Sequence, residues 1–303
     1  LITGIVLMLV SSGISGTLTN LFIRKSILAN PAPNESSVAQ KSDQLQVNPA
    51  LTIGSSAIQI GSQQVGLLQQ QQSEKLMKAM IAAEQRRFTY SVPEQFQGAV
   101  LYSARSQMAD NAIALTFDDG PWEGTTDEIL SILAQEGVKA TFFWVGQAVQ
   151  NQPEVARRVV SAGHAIGNHT WHHRYEPMSE VEAASEIEIA AQIFRETTGI
   201  QTKLFRPPGG YLNNGMADYA ISQGYTVVMW SITSWDTDPY TDPQDYVDNI
   251  LADVEPGGIV LLHDGGGDRS KTVAALPTII RSLKAQGYRF VTVPELLNLE
   301  AAG

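Results

Sequence analysis

The chain contains no cysteine. Disulfides and thiolate metal sites are therefore excluded, and the absence is compatible with an oxidising compartment without identifying one. Basic residues are scarce as well. Twenty Lys and Arg against 31 Asp and Glu leave a formal net charge of −11. Nucleic acid is not an expected partner, because binding it needs a basic surface that neutralises phosphates; the acidity says nothing about fold. Charge is missing altogether from residues 1 to 23, "LITGIVLMLVSSGISGTLTNLFI", after which Arg24 and Lys25 follow at once. About 20 apolar residues suffice to cross a bilayer as a helix, whereas a cleaved signal peptide has a shorter apolar core preceded by charge. Residues 1–25 are read as an uncleaved membrane anchor. The chain is then expected outside the cytoplasm, anchored at the cell envelope, with a secreted form as the alternative.

What is present divides the chain further. Hydrophobic residues make up 43% of it, enough for one large core or two small ones. Residues 26–73 are rich in Gln, Ser, Asn and Pro and bury little apolar surface, which predicts a disordered tether. Residues 74–88, "EKLMKAMIAAEQRRF", carry apolar positions at helical spacing, and 91–107 read as irregular; together 74–107 are expected to pack on the domain that follows.

From about residue 108 to 300 short β-branched runs alternate with amphipathic stretches of helical length, the pattern of βα units and a parallel sheet. Strands are expected at 112–117, 140–145, 164–167, 203–205, 225–230, 258–263 and 288–293. Helices are expected near 126–136, 153–162, 179–198, 214–223, 243–253 and 272–286, several followed by Gly in the manner of a C-cap: Gly137, Gly163, Gly199, Gly224 and Gly287. Seven strands in under two hundred residues predict an α/β fold, a distorted (β/α)7 barrel smaller than the usual eightfold one of about 250 residues.

In such barrels chemistry collects on the loops after the strand C-termini. Asp118 and Asp119 follow the first strand, His169, His172 and His173 the third, and Arg206 the fourth. Trp230, Trp235 and Asp236 follow the fifth, and His263 with Asp264 close the sixth. Four of the five histidines thus fall at one face; His164, at the start of its strand, reads as a core residue. Asp, Gly and Pro in "TFDDGPW" are also good turn formers, and a His pair four apart can be structural. With one carboxylate from Asp118 or Asp119, however, His169 and His173 complete a two-His, one-carboxylate set that suits catalytic zinc or non-haem iron. His172, at spacing three, competes as a ligand.

"TFDDGPW", "HTWHH", "RPPGG", "MWSITSWD" and "LLHD" stand in the order and approximate spacing of the NodB-homology polysaccharide deacetylases, carbohydrate esterase family 4, which residues 108 to 295 resemble. The resemblance implies a NodB-type barrel and a divalent metal, usually zinc, with cobalt, manganese and iron left open. It assigns Asp119, His169 and His173 to the metal, Asp118 to the general base, and Arg206 to holding Asp118 ionised. It implies Gly209 as the main-chain oxyanion donor, His263 as the general acid, Leu261 as the lining of an acetyl pocket and Trp235 as a hydrophobic wall. The chain departs from the family in two places. Gly209 and Gly210 precede Tyr211 where a Tyr often follows Arg-Pro-Pro directly, and Thr233 stands where the family's His-tuning Asp is expected, with Asp236 as the substitute.

The resemblance implies a hydrolase that removes N-acetyl groups from an N-acetylhexosamine polymer. Anchor and tether favour peptidoglycan, with chitin-like or exopolysaccharide glycans behind it. An O-acetyl xylan esterase with the same site, and a glycan-binding barrel without turnover, are the alternatives.

Overall fold

The computed structural model describes residues 67–78, 89–90, 92–104 and 110–302. The anchor expected at 1–25 and most of the expected tether lie outside the described residues. Among the described residues no helix is long and apolar enough to cross a membrane. An exposed helix, α1, covers 67–78 and so takes in the last part of the stretch read as tether. Of the helix expected over 74–88, residues 79–88 lie outside the described residues.

Eleven strands are present among the described residues: β1 (Thr89–Tyr90), β2 (Val100–Leu101), β3 (Ala112–Asp118), β4 (Thr141–Trp144), β5 (Ala165–Asn168), β6 (Gln201–Thr202), β7 (Leu204–Phe205), β8 (Thr226–Val228), β9 (Ile232–Thr233), β10 (Ile259–His263) and β11 (Arg289–Phe290). The helices that join them are α2 (Thr125–Gln135), α3 (Gly146–Asn151), α4 (Pro153–Ser161), α5 (Glu180–Thr198), α6 (Met216–Ser222), α7 (Pro243–Asp253), α8 (Ser270–Ala285) and α9 (Val293–Ala302). The main sheet runs β2-β8-β7-β5-β4-β3-β10-β9, with every neighbouring pair parallel. β3 sits inside it and is buried along its whole length. Covering both faces of a parallel sheet demands near-continuous apolar strands, which is what "AIALTF" and "IVLL" supply. Phe117 and Phe142, both fully buried, stack at 5.1 Å across β3 and β4; each contributes about 1.5–3 kcal/mol by leaving water.

The seven expected strands are all present and parallel, but they do not close a ring. The expected seventh, β11, pairs only with Ala112 and Ile113, because β4 and β10 already occupy the rest of β3. β2 and β9 form the two edges instead, so the barrel is open, and one antiparallel bridge, Ser103 with Gly258, ties the chain after β2 to the foot of β10. Two capping boxes start the helices beside the site. Ser179 with Glu182 opens α5, and Asp242 with Asp245 opens α7, each satisfying main-chain N–H groups that lack a partner within the helix. The five glycines expected to follow helices take φ between +63° and +87°.

Candidate active site

The C-terminal ends of the parallel strands deliver the polar residues to one cavity of about 570 Å³. Asp118 is the last residue of β3, paired in register with His263 at the end of β10. Neighbours on an extended strand point to opposite faces, yet Asp118 and Asp119 both line the cavity. Asp119 manages this by leaving the strand at φ +77°, a left-handed conformation that is uncommon for a residue with a side chain. The glycines after "LLHD" allow the close approach: a Cβ on Gly266 would lie 2.6 Å from Asp119 Oδ2.

The two carboxylates have different surroundings. Asp118 is buried and accepts from Arg206 Nη1 at 2.7 Å. Arg206, itself fully buried, also donates to Thr116 Oγ1 (2.8 Å), Val228 O (2.9 Å) and Met229 O (3.0 Å), and its guanidinium lies 4.0 Å from the Phe143 ring centre. A buried ion pair is tolerated when further hydrogen bonds satisfy it, and here every guanidinium nitrogen has an acceptor. Asp119 Oδ1 is buried and has no hydrogen-bond partner among the described residues, although His173 Nε2 is 3.1 Å away and His169 Nε2 3.6 Å. Burial on its own would raise the Asp119 carboxyl; the neighbouring imidazoles outweigh it and hold the group well below the usual carboxylate range.

His169 settles its own tautomer. Its Nδ1 lies 2.6 Å from Arg206 O, which can only accept, so Nδ1 carries the proton and Nε2 presents a lone pair. Burial lowers the His169 pKa and keeps the ring neutral. That lone pair faces Asp118 Oδ2 at 3.7 Å and Asp119 Oδ1 at 3.6 Å. A neutral imidazole facing carboxylates without a proton between them is suited to a cation. Ligand atoms of Asp119, His169 and His173 lie within 4.8 Å of one another, and the Nδ1 hydrogen bond to Arg206 O orients the His169 ring as metal-ligating histidines require. The residues present therefore fit a divalent metal. His172 is not in this group: its Nδ1 turns away to Glu186 at 2.6 Å.

His263 forms the opposite wall. Its Nδ1 lies 2.8 Å from Asp236 Oδ1, while Asp236 Oδ2 accepts from the His263 main chain (2.9 Å) and from Thr272 Oγ1 (2.9 Å). Burial lowers the His263 pKa, but the Asp236 carboxylate more than compensates and the net shift is upward. Asp236, not Thr233, is thus the residue beside His263; Thr233 instead caps a turn by accepting from Trp235 N–H at 3.3 Å. Leu261 and Gly209 line the cavity, as does Trp235, which is 58% exposed at its rim. Gly209 has φ +62°, and a Cβ there would lie 2.8 Å from the Tyr211 ring. Tyr211 thereby covers the position that a side chain at 209 would take, edge-to-face with Tyr175 at 5.9 Å, and Tyr175 in turn packs edge-to-face on His173 at 5.1 Å.

Several residues of the site escaped sequence reasoning. Glu186 and Thr116 lie within a helix and a strand and give no local signal. Asp264, expected at the end of the sixth strand but given no role, is buried, accepts from Gly120 N–H (3.1 Å) and Thr126 Oγ1 (2.6 Å), and burial pushes its carboxyl up to about 7. His164 is the core residue expected: its Nδ1 accepts from Ala140 N–H at 3.1 Å, and burial lowers its pKa to about 4.

A sequence model described as polysaccharide deacetylase matches residues 105–228. A peptidoglycan-N-acetylglucosamine deacetylase of Bacillus cereus is 44% identical over 193 residues, covering 62% of this chain and 89% of the relative. The chain belongs to the polysaccharide deacetylase family. Among solved structures of the family, the Bc1960 peptidoglycan N-acetylglucosamine deacetylase superposes with a TM-score of 0.62 at 33% identity, covering 66% of this chain and 92% of that one. A family 4 acetyl xylan esterase from Clostridium thermocellum, in complex with a cobalt ion, gives 0.58 at 35% identity, with coverage of 62% and 91%. The cavity at the strand ends is the candidate active site, and the open parallel barrel is its family's fold.

Proposed function

We propose that the chain is a metal-dependent N-deacetylase of N-acetylhexosamine polymers, with peptidoglycan as the favoured substrate. The observation that carries this is the division of labour between adjacent carboxylates: Asp118 is paired with Arg206, while Asp119 is aimed, without a hydrogen bond, at two imidazoles. Asp119, His169 and His173 would hold the cation, an N2O set that suits zinc and leaves cobalt, manganese and iron open. When bound, such a cation polarises a carbonyl oxygen and acidifies water.

The chain's own residues supply the rest. Asp118, kept ionised by Arg206, takes the proton of the attacking water as general base. The main-chain N–H of Gly209, which lines the cavity, donates to the developing oxyanion, and Leu261 receives the acetyl methyl. His263 delivers a proton to the departing nitrogen. Its partner Asp236 favours the charged ring and so suits an amine, a leaving group that must be protonated. This favours N-deacetylation over the second reading, an O-acetyl xylan esterase, which the likeness to the Clostridium enzyme supports.

Released acetate decides between them. Incubated with zinc, the protein should release acetate from peptidoglycan and from chitooligosaccharides faster than from acetylated xylan; the reverse order would overturn the amide reading. Metal analysis of the purified protein and of a His169→Ala variant checks the ligands, since full occupancy in that variant would remove His169 from the set. An extracytoplasmic, anchored position remains part of the proposal and is supported by the uncharged run before Arg24 and Lys25. Cell fractionation tests it, and recovery in the soluble cytoplasm would refute it.

A further inference from the structure

Glu186 is a buried carboxylate on α5 that does not line the active-site cavity and has no part in the steps above. Among the described residues its hydrogen bonds all go to the segment between the two metal-site histidines. Oε2 accepts from the main-chain N–H groups of Trp171 (3.1 Å) and His172 (2.8 Å), and Oε1 lies 2.6 Å from His172 Nδ1. Arg174 Nε is more distant, at 3.8 Å. The other side of the same segment is held too: the Thr170 and Trp171 carbonyls accept from Gly146 N–H (2.8 Å) and Gln147 N–H (3.1 Å) at the start of α3. Gly146 is needed there, because a Cβ would meet the Trp171 ring at 2.4 Å. Within this clamp Thr170 and His173 sit at φ +69° and +60°. Two such residues in one short segment persist only where the surroundings over-determine them.

We propose that Glu186 is the positioning residue of the metal site. By bonding both free N–H groups of the segment, it fixes the turn that brings His169 and His173 together on Asp119. By taking His172 Nδ1, it makes that imidazole a strut rather than a third candidate ligand. The proposal rests on the metal reading of the Asp119 cluster.

The test uses the 303-residue chain, cobalt titration against a competing chelator, and amide hydrogen exchange of the metal-free protein over residues 169–173. Glu186→Gln should weaken cobalt binding by about 10–100-fold, as loss of partners behind metal ligands does. It should also speed exchange of that segment by about tenfold or more. His172→Ala removes one bond of three and should show the same changes at a few-fold level. Glu182→Ala, an exposed capping residue on the same helix, should leave both readouts at wild-type values. Wild-type behaviour of Glu186→Gln in either readout, or an equal effect of Glu182→Ala, would overturn the assignment. If Glu186→Gln does not fold, Glu186→Asp keeps the charge but withdraws it, and the same expectation and refutation apply. A wild-type chain that binds no cobalt would remove the metal reading, while the exchange comparison would still decide whether Glu186 locks the turn.

Discussion

Two imidazole–carboxylate pairs flank the active site, and they differ in one respect that matters. His263 meets Asp236 at 2.8 Å on one side, and His172 meets Glu186 at 2.6 Å on the other. In the first pair the carboxylate is buried, 1% exposed, and the imidazole, 13% exposed, lines the cavity. In the second the carboxylate is buried but the imidazole is 40% exposed and lies outside the cavity lining. On the proposed reading the same chemical unit serves proton transfer in one place and loop geometry in the other. What separates them is that only His263 lines the cavity. Distance alone would rank the structural pair as the stronger.

The largest effect expected lies between the pairs. Asp118→Asn removes the base while leaving both pairs intact, and should lower kcat by about 10³-fold, roughly 4 kcal/mol, with metal content unchanged. Retained turnover in acetate-release assays would move the base elsewhere. His164 offers an imidazole with no carboxylate partner among the described residues. Its folded pKa of about 4 lies below the ordinary 6.5, so the stability held by the neutral ring is present above pH 6.5 and lost as pH falls toward 4. The difference amounts to about 3 kcal/mol. Urea melts of wild type and His164→Asn at pH 7 and 4.5 should converge at the lower pH, and parallel pH dependences would disprove it.

Asp236→Asn bears directly on the catalytic pair. It should lower kcat by about 30-fold. Because the acid works protonated, losing the carboxylate that raises its pKa should move the alkaline limb of the kcat profile to lower pH. A uniform drop with an unmoved limb would make Asp236 merely structural. The smallest effect belongs to His172→Asn, for which kcat and its pH profile should stay within about threefold of wild type. A shifted pH limb there would erase the distinction between the pairs.

Much of this was legible before any fold was known. Residues such as Asp118, His169 and His263 end apolar runs, and a parallel strand that ends in a polar residue places it at the catalytic face. Short elements were not legible: β2 and β9 have two residues each and α3 has six, too few to show a period. α9 was missed too, and the pairing of β11 with the foot of β3 depends on which neighbours already occupy that strand. Glu186 and Thr116 sit in amphipathic or apolar runs where nothing marks them as polar contacts of the site.

By itself the sequence determined which side chains reach the strand ends, because alternating burial and glycine punctuation are local properties of the chain. It also determined the family, through five motifs in order. Only the tertiary structure decided which carboxylate serves which imidazole. Asp236 rather than Thr233 meets His263, and His172 turns to Glu186 rather than to the cluster of Asp119, His169 and His173. Such pairings join residues from different loops and helices, and a contact of that kind exists only once the sheet has set the distance between them.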